Sequence, residues 1–519
     1  PAADASSAAP LRFMPDPPRR KLLIELPAPV ATGETVRVSV RCRCRPSDSR
    51  LEGIYRDTTP PFAPQQYISQ CQQWGFQRIF PVIDDCTAKC TFRTTLEGDA
   101  RYTHLISNGD VDRDAHPDGR PSPVPGNPAR KVITYVNRVP MAPYLFLACA
   151  GTWEVLADEV RYPDGRRITL EYLVPHGKRD SARIPMEILK RSILWQHAAT
   201  GYVYPFDTYR TLCMEKSNYG GMENVGNTTI ITEAALIDKD TVDTRLIYAH
   251  GVIVHEYEHN HCGSGVTMES PFDMWLNEAY TVDIERQFTA SVFNPAFMRL
   301  READAIREPG GGPLAMEDTG AFGQIVRDGF NDPDELVDGV TYVKAPEVLN
   351  MLRQLLGTHV YDAAARLYFS RHDGGNANTA QFLACFEEVS GESLDAFSRE
   401  WLFSAGYPQD NILFQAPQHA ILWQNGYEVL NTGIAQPTAL VDVLQQFFAY
   451  QPPAFEQWEQ AVAEFKVRVP DLATGLLNLI RTEYRTNLRF IRAFDDFAAL
   501  CRQTLNPNIA IQAVEEMLI

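Results

Sequence analysis

The spacing of hydrophobic and polar positions changes near residue 180. Before that point alternation dominates, as expected for strands with one buried face. It runs through residues 34–40 and 131–136, and an apolar run follows at residues 144–150. Residues 107–130 are crowded with Asp, Gly, Pro and Asn, which predicts a long exposed loop. A last strand over residues 168–174 follows the turn Pro163-Asp164-Gly165.

Beyond residue 180 the apolar positions recur at helical spacing. Met186, Ile188, Leu189, Ile193 and Leu194 share one face, and residues 245–262 form a second long candidate. A third runs from about Trp275 to Phe288. Pro346 stands in a first-turn position, Val348, Leu349, Leu352, Leu355 and Leu356 turn inward, and Gly357 stops the helix. Helical spacing continues to about residue 403, breaks at Gly406-Tyr407-Pro408, and resumes to the end with an interruption at Pro452-Pro453. The expected architecture is therefore α+β in several domains. A β-rich amino-terminal domain covers 1–162, a mixed domain 163–406 and a short helical domain 407–519. A chain of 519 residues is too long for one ordinary core, which agrees with that division.

Composition narrows the partners. No stretch of about 18 apolar residues is present, which argues against a spanning helix. A net charge of −18 argues against nucleic acid, whose phosphates need a basic surface. It suits a cationic partner, such as a peptide with a free amino terminus, as well as it suits solubility. Ten cysteines are dispersed along the chain, as buried thiols of a reducing, cytoplasmic protein would be. Residues 1–10 are small and Ala-rich, and read as a flexible tail; a removed signal peptide is compatible with them.

The chemistry lies in His255-Glu256-Tyr257-Glu258-His259. Residues four apart on a helix differ by about 40° and share a face, so both imidazoles reach one zinc. Glu256, one step round, is placed as general base for water that zinc acidifies to a pKa of about 7. Such a pattern arises by chance in roughly one chain of this length in a hundred, so its surroundings matter. A catalytic zinc needs a third protein ligand, and Glu278 supplies a carboxylate with eighteen residues intervening after His259, on the next predicted helix. The metzincin pattern would place Gly and His where Cys262 and Gly265 stand, so it is excluded. His261 lies about 200° round from His259 and should point away from the metal.

Upstream lies Tyr219-Gly220-Gly221-Met222-Glu223-Asn224, and Trp275-Leu276-Asn277-Glu278 carries the third ligand. With the zinc motif between them, these segments resemble the aminopeptidase N and leukotriene hydrolase family of zinc aminopeptidases. Residues 51–55, Ser69-Gln70-Cys71-Gln72, Thr341-Tyr342-Val343-Lys344, residues 367–372 and Trp401-Leu402-Phe403 extend the resemblance over roughly residues 51–405. It implies a saddle-like amino-terminal sheet with its first part shortened, and a thermolysin-like catalytic domain holding one zinc. It further implies that Glu223 binds the substrate's α-ammonium, helped by Gln70 or Gln72, and that Tyr342 donates to the oxyanion. By the same resemblance Gly220 and Gly221 align the peptide as an edge strand, with Met222 and Asn224 in that segment, while Tyr219 and Gln70 shape the side-chain pocket.

Some positions depart from the family. Gln72 stands where bacterial relatives often have Glu, and Ala279 where Gly is common. The region after Pro408 has no space for a β-sandwich beside its helices. A thermolysin-type endopeptidase, an epoxide hydrolase on the same zinc, and an inactive peptide-binding scaffold are the alternatives.

Overall fold

A computed structural model of the chain describes residues 10–405, apart from residue 20 and residues 239–240, 294–297, 300 and 303–322. The helical domain expected over 407–519 lies outside the described residues, as does Cys501.

The amino-terminal part is built from antiparallel sheets. A hairpin of Phe13–Asp16 with Lys21–Ile24 comes first. One four-stranded sheet runs in the order Gly53–Arg56, Tyr67–Gln70, Ala148–Gly151, His104–Ser107. In a second sheet the long strand Asn127–Met141 pairs with Cys90–Asp99 on one side, and with Asp110–Val111 and Ser122–Val124 on the other. The alternation at 131–136 is realised in that long strand, where Ile133 and Tyr135 pack on Leu105 and Val111.

Two expectations fail here. Residues 34–40 form no strand, and Val36 and Val38 are exposed. Alternation gives a segment two faces, but a strand also needs a neighbouring edge to accept its N–H groups; none of the described strands pairs with this stretch. The exposed loop foreseen over 107–130 instead contributes Asp110–Val111 and Ser122–Val124 to the second sheet, and the long strand begins inside it at Asn127.

The sheet of the mixed part begins with the hairpin Glu154–Arg161 and Arg167–Val174, which straddles the boundary expected at 162/163 and turns at Gly165, whose φ of 93° suits glycine. Three parallel strands follow one another: Arg167–Val174, Thr208–Met214 and Asn227–Ile231. Thr208–Met214 is buried along almost its whole length, as a strand covered on both faces should be. Gly221–Met222 closes the sheet as an antiparallel edge. The helix Arg183–Thr200 lies against the helix Asp243–Glu258, which packs in turn on Met274–Val292. Residues 274–284 of that last helix are buried all round, the mark of a helix inside a core.

Among the described residues the helices Ala345–Leu356, Thr358–His372, Thr379–Ser390 and Asp395–Trp401 follow. The helix expected over 245–262 stops at Glu258, and His259 is its C-cap, still in right-handed helical geometry.

Buried polar contacts join the two parts. Asn227 donates to the Ser107 carbonyl at 2.6 Å. The amide of Asn108 donates to Leu145 at 2.9 Å and Val225 at 3.0 Å. Asp57 accepts from the backbone N–H groups of Glu215 and Lys216. No described helix is long and apolar enough to cross a membrane.

A candidate metal centre and its surroundings

His255 and His259 project from the last turn of their helix toward Glu278, in the second turn of the next. Nε2 of His255 and Nε2 of His259 are 3.0 Å apart. Glu278 Oε2 lies 3.5 Å from the first and 3.2 Å from the second. All three residues are buried.

The outer nitrogens decide what these atoms are. Nδ1 of His259 donates to the Cys262 carbonyl at 2.9 Å, an oxygen that can only accept. Nδ1 of His255 sits 3.2 Å from the carboxylate of Glu285. With Nδ1 the protonated nitrogen of each, the imidazoles in their neutral form turn an Nε2 lone pair inward, toward the other and toward a carboxylate oxygen. Three acceptors converging this closely repel one another unless a proton or a metal cation lies between them. The donor set is that of a tetrahedral zinc with one position open, so the residues fit the ion.

Charge balance points the same way. Burial alone would lower the His259 imidazole, but Glu278 and Glu223 outweigh it and raise it to about 9. For His255 burial is likewise overcome, by Glu278 and Glu285. Burial would raise Glu278, yet the two imidazoles hold it below the usual carboxylate range. Burial pushes Glu256 up to about 8 and also raises Glu223. An excess of carboxylates over imidazoles in a dry site favours a divalent cation.

Glu256 turns to the other wall. Its carboxylate lies directly against Gly221, where a Cβ would overlap it. At Gly220 a Cβ would meet the hydroxyl of Tyr248, from the metal helix. The Gly-Gly pair therefore lets the sheet edge approach this helix closely. Met222 follows with its side chain in the core.

Glu223 is buried; the Tyr144 hydroxyl hydrogen-bonds to it, and Asn277 donates to that hydroxyl at 3.2 Å. Its Oε1 has no hydrogen-bond partner among the described residues, and neither has Oε2 of Glu256. The Asn224 amide is occupied structurally, donating to Leu145 and Phe146 and accepting from Thr229.

Tyr342 stands on a single π-helical turn, Val340–Lys344, a form of helix frequent at functional sites. Its ring stacks 6.2 Å from that of His255. Burial, with Glu278 beside it, keeps the phenol protonated. Gln70 and Gln72 are both buried, and the Gln72 N–H donates to the Gln70 side chain at 3.2 Å. The Tyr219 hydroxyl bonds to Asp334, which lines a neighbouring cavity of about 640 Å³.

His261 points away from the metal ligands, as its helical phase implies. It is held by Glu258 at 3.1 Å and stacked between Tyr202 and Phe369. Sequence reasoning missed Glu285, Tyr144 and the Cys262 carbonyl. Of these only Glu285 carried a signal: it lies seven residues after Glu278, two turns along the same helical face.

The chain is also similar to known proteins along most of its described length. The Peptidase M1 N-terminal domain model matches residues 3–145, and the Peptidase family M1 domain model matches residues 184–401. Aminopeptidase N of Caulobacter vibrioides is 30% identical over 371 residues, which are 70% of this chain and 40% of that protein. Aminopeptidase N of Escherichia coli is 29% identical over 370 residues, with the same shares of each chain. The chain thus spans about 40% of the length of these curated relatives. The crystal structure of Legionella pneumophila aminopeptidase A in complex with aspartic acid superposes with a TM-score of 0.60 at 20% identity, covering 68% of this chain and 39% of that one; it speaks for the fold. Two models of one family, in their natural order and together covering more than half of the sequence, show that the chain belongs to peptidase family M1.

Proposed function

We propose that this chain is a zinc-dependent aminopeptidase that hydrolyses the amino-terminal residue from peptides. The observation that carries the reading is Glu223, a buried carboxylate beside the metal ligands with one oxygen unpartnered among the described residues. A buried carboxylate is costly unless paired with a cation. The ammonium of a free peptide amino terminus has the charge and the hydrogens to pair with it. An endopeptidase has no use for that group, and no observation favours epoxide hydrolysis or an inactive scaffold.

Zinc held by His255, His259 and Glu278, one per chain, supplies Lewis acidity for the scissile carbonyl and for water. Glu256 would take and return the proton. Tyr342 would donate its hydroxyl hydrogen to the developing oxyanion. The main chain of Gly220 and Gly221 would align the peptide as an added strand, since Gly221–Met222 is a sheet edge. Gln70 and Gln72 would assist at the amine, while Tyr219 would help to shape the side-chain pocket. The aminopeptidase relatives support this substrate class, and the nine described cysteines, all free thiols, support the cytoplasm as its compartment.

The test uses aminoacyl substrates with free and acetylated amino termini. A charge-assisted hydrogen bond is worth about 1.5–3 kcal/mol, or roughly ten- to a hundredfold in kcat/KM. Glu223→Gln should cost at least that much on free substrates. Acetylation should harm the wild type comparably, and the two losses should not add, because each removes the same interaction. Efficient cleavage of acetylated peptides at internal bonds by the wild type would refute the aminopeptidase reading.

A further inference from the structure

Beyond His259 the chain folds back on itself. The N–H groups of Ser264, Gly265 and Val266 return to the carbonyls of His259, Asn260 and His261 at 2.9, 3.1 and 3.0 Å. The path needs glycine twice. Gly263 has a φ of +120°, and at Gly265 a Cβ would lie 2.7 Å from the His261 carbonyl. This turn carries the Cys262 carbonyl that receives the His259 Nδ1 proton, so its shape sets the orientation of a metal ligand.

The turn is gripped from the other domain. Lys89 precedes the strand Cys90–Asp99 by sequence but reaches into the mixed domain. Its ammonium donates to the carbonyls of Ser264 at 3.0 Å, Gly265 at 3.0 Å and Gly375 at 2.9 Å. Three donors meet three acceptors, the full capacity of a lysine. Asn376 makes a parallel tie, donating to Cys86 at 2.9 Å and Met268 at 3.0 Å. Lys89 is half-buried, and withdrawing its ammonium from water lowers it to about 8 against the nearby Asp373. An apolar side chain would fill the same space without desolvating a charge, but it could not hold carbonyls.

We propose that Lys89 is a positioning residue of the metal centre: by holding the Ser264 and Gly265 carbonyls it fixes the turn whose Cys262 carbonyl orients His259. The inference rests on His255, His259 and Glu278 being metal ligands. It assigns Lys89 no contact with substrate. It makes the amino-terminal domain part of the metal site, through one side chain.

The test compares the full chain with three variants. Lys89→Met removes the donors and keeps the stem. Lys89→Arg keeps the charge but presents a planar fork that cannot bond the three carbonyls together. Asp57→Asn loosens the same domain contact at Glu215 and Lys216, away from the turn. Amide exchange at residues 264–266 is read in metal-stripped protein, zinc retention by chelator competition, and ligand geometry from the visible spectrum of the cobalt-loaded protein.

Lys89→Met should speed exchange at the turn, shift the cobalt spectrum and weaken zinc retention about tenfold, the lower end of what loss of a ligand's hydrogen-bond partner costs. Lys89→Arg should fall between, and Asp57→Asn should match wild type in all three. Wild-type zinc retention and cobalt spectrum in Lys89→Met would overturn the proposal. Should that variant not fold, the same result in Lys89→Arg would overturn it. A wild type that takes up no metal would sink the ligand assignment itself, a separate outcome because exchange at the turn is read without metal.

Discussion

Gly251 lies one helical turn before His255, and the space above it holds the carboxylate of Glu285. A Cβ added there would stand 2.5 Å from Glu285 Oε1 and 3.2 Å from its Cδ. Atoms of that kind do not approach within 3.0 Å, so the carboxylate must move by at least about 0.5 Å. The other oxygen, Oε2, stands 3.2 Å from His255 Nδ1, near the long end for a hydrogen bond, so displacement of the carboxylate as a whole takes it out of range.

Gly251→Ala should therefore act twice, with opposite signs. Exchanging glycine for alanine inside a helix stabilises the fold by up to about 1 kcal/mol. Losing the acceptor that orients a metal-binding histidine costs about 10–100-fold in metal affinity. The Glu285 side chain is 31% exposed, so water can replace it as acceptor, which argues for about tenfold, or about 1.4 kcal/mol. Glu285→Ala should give a similar loss of affinity without the gain in stability. The double variant should lose no more than the larger single, since both delete one interaction. Competition against a chromophoric zinc chelator measures the affinity and thermal melting of the metal-free protein measures the stability. Wild-type affinity in Gly251→Ala would refute the crowding argument, and wild-type affinity in Glu285→Ala would refute any role for this hydrogen bond.

Two other substitutions separate roles within the site, and a third tests backbone strain away from it. Glu256→Gln should keep zinc but lose turnover by on the order of a hundredfold or more, checked by metal analysis beside kcat; loss of zinc would show that Glu256 is more than a base. Tyr342→Phe removes one oxyanion donor and should lower kcat by about 10²–10³ with little change in KM, whereas a packing tyrosine would leave both nearly unchanged. Gly357 joins two helices at φ 80° and ψ 147°, with open space where a Cβ would go. Gly357→Ala should cost about 1–3 kcal/mol in a denaturant melt through backbone strain alone, with kcat preserved.

How much of this was legible depended on the range of the contact. The strand at 131–136, the helical face through Met186, Ile188, Leu189 and Ile193 and the stop at Gly357 follow from local periodicity and backbone preference, and the structure has them. Residues 34–40 carry the same kind of alternation and form no strand, because pairing depends on a partner edge that periodicity does not encode. Residues 107–130 fail in the opposite sense. Their turn-rich composition was visible, but the long strand beside them was already set to accept short segments from either part of the loop.

At the site the division is sharper. The sequence by itself determined that His255 and His259 share a face, because a helical turn of 3.6 residues places them so wherever the helix lies. It also determined which groups can bind a metal, take a proton or pair with an ammonium, since those capacities belong to side chains. Only the tertiary structure decided that Glu278 closes on both Nε2 atoms, that Glu285 and the Cys262 carbonyl fix the two imidazoles, and that Tyr342 reaches His255 from a π-helical turn. It alone brought Lys89 to carbonyls 175, 176 and 286 residues away along the chain. Contacts of that length depend on how two sheets and a bundle of helices pack, and packing is a property of the whole core rather than of any segment in it.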